Sequence, residues 1–161
     1  MKMFKLLLSS ALLSVVISGC ATTPAPVTIS ETAAATPQLS TLSKLINDAG
    51  LSDTLKEAGP YTVFAPTDDA FKAVPAKTLE AWSKDKALLL SVLTYHVLPG
   101  KVTAADVKNG PATTVQGAPV SLYRSGDFVT VESAVVTTAD INASNGVVHV
   151  VDQVLMPPVK K

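Results

Sequence analysis

Two histidines, His96 and His149, the single cysteine Cys20 and the adjacent carboxylates Asp68-Asp69 are the side chains of this 161-residue sequence whose types invite chemistry. A metal centre needs several His, Cys, Asp or Glu ligands at suitable spacing. Each histidine instead stands in an apolar run, with no ligand cluster around it. An imidazole so placed ordinarily donates one ring hydrogen to a backbone or carboxylate acceptor, which gives both a structural reading first. Pairing of His96 with Asp68 would lock a corner as readily as it would move protons. No serine sits in a Gly-x-Ser-x-Gly elbow, and no Gly-rich phosphate loop occurs. Asp68-Asp69 begins a helical stretch, where capping and the helix dipole account for acidic residues. The sequence therefore assigns no catalytic residue, no cofactor and no metal, and an enzyme is the least supported class.

Cys20 has a different context. Lys2 and Lys5 precede an uncharged apolar run from Leu6 to Ile17, and the small residues Ser18 and Gly19 follow. That is the layout of a signal peptide spanning 1–19. A helix crossing a bilayer needs about 20 apolar residues, more than this run offers. Ile17-Ser18-Gly19-Cys20 resembles the lipobox of bacterial lipoproteins, in which a diacylglycerol is attached to the cysteine and the chain is cut just before it. A single thiol in an exported chain closes no internal disulfide, which agrees with a lipid role. Two or three acyl chains, palmitate for example, hold stably where one does not. Ala21 after the cysteine resembles the sorting signal for the outer membrane in enteric-type bacteria.

Loss of 1–19 lowers Lys+Arg from 13 to 11 against 13 Asp+Glu, a formal charge of −2. No basic patch remains to favour nucleic acid. From Ala21 to Pro37 the composition is Thr, Ala and Pro without apolar periodicity, so 20–37 reads as a lipidated cysteine followed by a flexible tether. Extended at about 3.1 Å per residue, it would reach roughly 50 Å.

A globular domain is expected over 38–158, with 159–161 as a tail. Leu39, Leu42, Leu45 and Ile46 keep helical spacing up to Gly50. A short helix with Ser52 as N-cap should follow, ending near Gly59. Tyr61 to Ala65 suits a buried strand. Pro66 ends it, and Thr67 or Asp68 can cap the next helix. Helical patterns continue over Thr78–Trp82 and Lys84–Tyr95. Beyond Val97, β-branched runs and turn pairs predict hairpins: Val120–Arg124 with Phe128–Glu132, and Asp140-Ile141 with Val147–Val151 around Asn145-Gly146, a pair able to hold positive φ. Helices first and hairpins later give an α+β fold.

Three segments carry a family resemblance: Tyr61-Thr62-Val63-Phe64-Ala65-Pro66-Thr67-Asp68-Asp69-Ala70-Phe71, Leu93-Thr94-Tyr95-His96-Val97-Leu98, and Asn145 to Pro157. In order, spacing and layout the chain resembles fasciclin domains, from about Gln38 to Pro158. The resemblance implies helices packed on a β-sheet wedge and a role in adhesion at cell surfaces. In animal members that role is ascribed to an Asp-Ile pair and to the Tyr-His segment, which fall here on Asp140-Ile141 and Tyr95-His96. Pro66, Asp68, Asn145 and Gly146 read as structural parts of the motifs. Two functions stay open: a lipid-anchored module binding a protein or polysaccharide at the surface or in the envelope, and a periplasmic structural or stress-related protein without adhesive role.

Overall fold

The computed structural model describes residues 27–56 and 59–158. The expected signal peptide, Cys20 and the 159–161 tail lie outside the described residues. Helices occupy the first half: α1 (Ile29–Ala35), α2 (Ser40–Ala49), α3 (Leu51–Thr54), α4 (Asp68–Ala73), α5 (Ala76–Lys84) and α6 (Lys86–Tyr95). Strands β1 (Tyr61–Pro66) and β2 (Val97–Pro99) are followed by β3 (Gly110–Thr113), β4 (Pro119–Ser125), β5 (Phe128–Val131), β6 (Ala134–Ala143) and β7 (Gly146–Val151). They form one seven-stranded sheet in the order β2-β1-β7-β6-β5-β4-β3. The fold is α+β, as the order of patterns predicts.

The first difference from expectation lies in the tether. Residues 29–35 form a helix rather than part of a flexible linker, because Thr28 and Glu31 make a reciprocal capping box and because Ile29 and Ala33 are buried against the domain. Pro37 then opens a single 3₁₀ turn leading into α2. The domain begins about ten residues earlier than its apolar periodicity suggests.

Next to the edge strand β2, β1 and β7 pair in parallel, from Tyr61 opposite Gly146 to Pro66 opposite Val151. Every residue of β7 is buried. Strands so covered read as continuous β-branched runs, which is what Gly146-Val-Val-His-Val-Val151 is. Val63, Ala65, Val148 and Val150 face a core filled by Leu42, Ile46, Phe71, Trp82, Leu89 and Val92 from the helices. Phe64 and Val151 face a second core with Tyr95, Leu98, Val120, Leu122, Val129 and Val131. Between the two halves, β6 shifts register after Val136 and again after Thr138, and the sheet bends there into a wedge.

Candidate functional site

His96 follows the last turn of α6, which ends where the apolar stripe meets β2. It is 2% exposed. Its Nδ1 lies 2.7 Å from the Val92 carbonyl, and its Nε2 accepts from the Leu155 amide at 2.9 Å. These partners fix a neutral ring with the proton on Nδ1. Burial pushes its pKa down to about 4, against a smaller opposing effect of the Val92 carbonyl. His149 in β7 has the opposite tautomer: Nε2 donates to the Val102 carbonyl at 2.8 Å and Nδ1 accepts from the Asp140 amide at 3.2 Å. Its ring stacks on Phe64 with centroids 5.7 Å apart. Each imidazole is thus a two-ended staple, one joining α6 to the C-terminal segment, the other joining β7 to β6 and to the loop after β2. Asp68 takes no part in either staple, its carboxylate being bonded to Ser40 and Thr41. Among the described residues no group of three or more His, Cys, Asp or Glu could hold a metal.

Tyr95, expected to touch a partner, is 3% exposed and donates its hydroxyl to the Pro119 carbonyl at 3.1 Å. Burial, then the nearby Glu132 carboxylate, raises its pKa. With Ser121, Glu132, Val154 and Met156 it lines an open hollow of about 480 Å³. Neither Tyr95 nor His96 presents its side chain to solvent, because α6 must bury this face to meet the second core. Their hydrogen bonds position other elements of the fold.

Asp140 differs from them. It sits at the second register shift of β6 with φ +58, a left-handed conformation that few residues other than glycine adopt. Its Oδ1 accepts from the Ala104 amide at 2.8 Å while its own amide is held by His149. Asp140 is exposed, as are Thr137, Thr138 and Ala139 before it; Ile141 is half-buried against the helical core. The structure therefore separates the two expected pairs: Asp140 is displayed on a braced bulge, whereas Tyr95-His96 lies inside.

Thr67, not Asp68, caps α4, accepting from the Ala70 amide. Asp68 instead caps α2, accepting from the Thr41 amide at 2.8 Å and the Ser40 hydroxyl at 2.7 Å. Desolvation raises its pKa, but these bonds outweigh it and hold the carboxyl below its ordinary value. Ser52 lies within α3 and bonds Asn47, so it is no cap; Gly50 precedes the helix. Pro66 takes the last position of β1, where Thr67 resumes pairing by donating to the Val151 carbonyl.

Asn145 accepts from the Ile29 amide at 3.0 Å, donates to the Leu55 carbonyl, and offers its own carbonyl to the Tyr61 amide at 3.0 Å. It joins α1, the end of α3 and β1 at one point. Gly146 is needed for closeness rather than for positive φ: a Cβ there would lie 1.8 Å from the Tyr61 carbonyl oxygen.

Sequence reasoning did not single out Tyr123 and Phe128. They are 55% and 72% exposed on the β4–β5 hairpin. The strand alternation that buries Leu122, Val129 and Val131 turns them outward, and that signal was in the sequence.

Comparison with known proteins gives a consistent result. The fasciclin-domain family model matches residues 37–157. Protein sll1483 of Synechocystis is 46% identical over 149 residues, 90% of this chain and 81% of that protein. The cell surface glycolipoprotein MPB83 of Mycobacterium bovis is 40% identical over 127 residues, covering 76% of this chain and 57% of its own length. A solved FAS1 domain pair from the insect cell adhesion molecule fasciclin I superposes with a TM-score of 0.63 at 18% identity, covering 81% of this chain and 51% of that one. At that identity the likeness is one of fold. Among the described residues no helix is long and apolar enough to cross a membrane.

Proposed function

We propose, because this chain belongs to the fasciclin-domain family, that it is a non-enzymatic adhesion or interaction module, held to a bacterial membrane by lipid on Cys20 and binding a protein or polysaccharide at the cell surface or within the envelope. The observation that carries the binding reading is the bulge at Asp140. Strained backbone persists only where its surroundings hold it, and here Ala104 and His149 hold it while the side chain and the preceding threonines face solvent. A rigid display of this kind loses little entropy on binding. We assign the contact to Asp140 and its half-buried neighbour Ile141, with Tyr95 and His96 supporting the fold behind them.

Purified mature protein should retain a partner from envelope or matrix extract, and Asp140→Ala should weaken that retention about tenfold, or ~1.4 kcal/mol. Equal retention by the variant would refute the assignment. Retention by neither would leave a structural envelope role.

The anchor is carried by the apolar run ending in Ile17-Ser18-Gly19-Cys20. A thioether to lipid on Cys20 places the protein in the envelope, consistent with sorting to the outer membrane. Cys20→Ser should move the folded domain from the membrane to the soluble fraction.

A further inference from the structure

The aromatic side chains are distributed unevenly. Phe64, Phe71, Trp82 and Tyr95 are buried and Tyr61 is half-buried, whereas Tyr123 and Phe128 stand out of one hairpin. Tyr123 is opposite Thr130 and Ser125 is opposite Phe128, so both rings project from the same face, diagonal to one another. Thr130 is in turn opposite Val135, itself 37% exposed, and the three strands share one apolar outer patch.

Strands β4 and β6 flank β5 and run in the same direction. The Ser125–Phe128 tip and the β6–β7 turn therefore leave the sheet toward the same end. At that turn the Ser144 amide donates to the Val27 carbonyl, which fixes the start of the described domain there. The loop after β2 links the two places: Gly100 bonds Pro60 beside the turn, and Ala105 accepts from the Arg124 guanidinium at the hairpin. Cys20 is only seven residues before Val27, a covalent reach of about 25 Å. Folding of α1 thus leaves less than the length a tether over 20–37 would have had. A lipid on Cys20 would tether this end of the domain within about 25 Å of its bilayer.

Charge at this end is mixed. Lys56 and Lys101 line the hollow beside Ser144, and Lys108 and Arg124 the one beside Gly126, with Asp53, Asp106 and Asp127 among them. Such a balance favours contact through aromatic rings over binding that depends on lipid charge. Rings with one apolar body settle at headgroup depth.

We propose that Tyr123 and Phe128 dock the β4–β5 hairpin into the headgroup layer of the bilayer that carries the Cys20 lipid, so that the domain is held by two contacts and in one orientation. This rests on the lipid-anchor reading. The test uses the full lipidated protein in phosphatidylcholine vesicles with and without brominated acyl chains. Phe128→Trp should be quenched about twofold by bromolipid, while Val115→Trp, exposed in the turn at the other end of β4, should not be. Native Trp82 is buried and sets the baseline. Tyr123→Trp gives an independent reporter should Phe128→Trp fail to fold. Protein that floats with the vesicles but shows equal quenching at 115 and 128 overturns the docking and leaves the hairpin for a protein or glycan. Protein that does not float overturns the anchor reading and the docking with it.

Discussion

The β1–β7 seam and the β4–β5 hairpin are both short strand pairs, yet they face opposite demands. Both faces of the seam are covered, and its register is closed by an asparagine with three partners and a glycine against a carbonyl. The hairpin buries one face through Leu122, Val129 and Val131 and leaves Tyr123 and Phe128 in solvent. In the seam, side chains are chosen by what they must fit. In the hairpin, outward residues are free of the fold, and an exposed large ring there calls for a reason outside it. The contrast separates motif residues that mark the family from residues that can serve this chain's own surface.

The comparison breaks most sharply at Gly146→Ala. The new methyl would meet the Tyr61 backbone, which no rotamer can relieve, so β1 and β7 must part. The loss should be at least about 3 kcal/mol, or failure to fold, read by thermal or urea unfolding.

A pH titration probes the staple behind the seam. An unfolded histidine takes up its proton near the ordinary value of 6.5, whereas folded His96 refuses it until about 4. Stability is therefore full above 6.5 and falls as pH drops toward 4, by about 3 kcal/mol from this group. Glu31, Asp68 and Asp106, whose folded carboxyls lie under their ordinary values of 4.5 and 3.8, add their own loss as pH falls through those values. Urea unfolding of His96→Gln at several pH values should show a lower ceiling without the slope between 6.5 and 4; an unchanged slope would assign it elsewhere.

Asn145→Ala removes the acceptor for Ile29 and the donor to Leu55, leaving both backbone groups part-buried and unpaired. A cost of about 2 kcal/mol is expected in denaturant unfolding, with hydrogen exchange fastest in α1. At the far end of the scale, Tyr123→Ser and Phe128→Ser should each change stability by no more than about 0.5 kcal/mol. A larger loss would mean that the rings serve the fold after all.

Much of this was legible from residue types. Apolar spacing gave α2 and α6, and turn chemistry gave both hairpins. The parallel direction and register of the seam were not, since Tyr61 and Gly146 are distant in sequence and no local pattern sets how their strands run. Asp68 looked like a cap for its own helix and caps another, because only the tertiary fold brings Ser40 and Thr41 to it. Helix α1 was hidden by proline and threonine around it, though Thr28 and Glu31 at capping-box spacing were the available signal. In the candidate site, Asp140 was readable as a residue but its strain was not: the register shifts that place it left-handed arise from pairing with β7.

The parallel seam also orders events in time. A chain made from its N-terminus presents β1 long before Gly146–Val151 arrives, and until then β1 has one open edge. Contacts this distant in sequence close slowly. The domain therefore stays open until its last strand has been supplied, and closure is left to the residues that are made last.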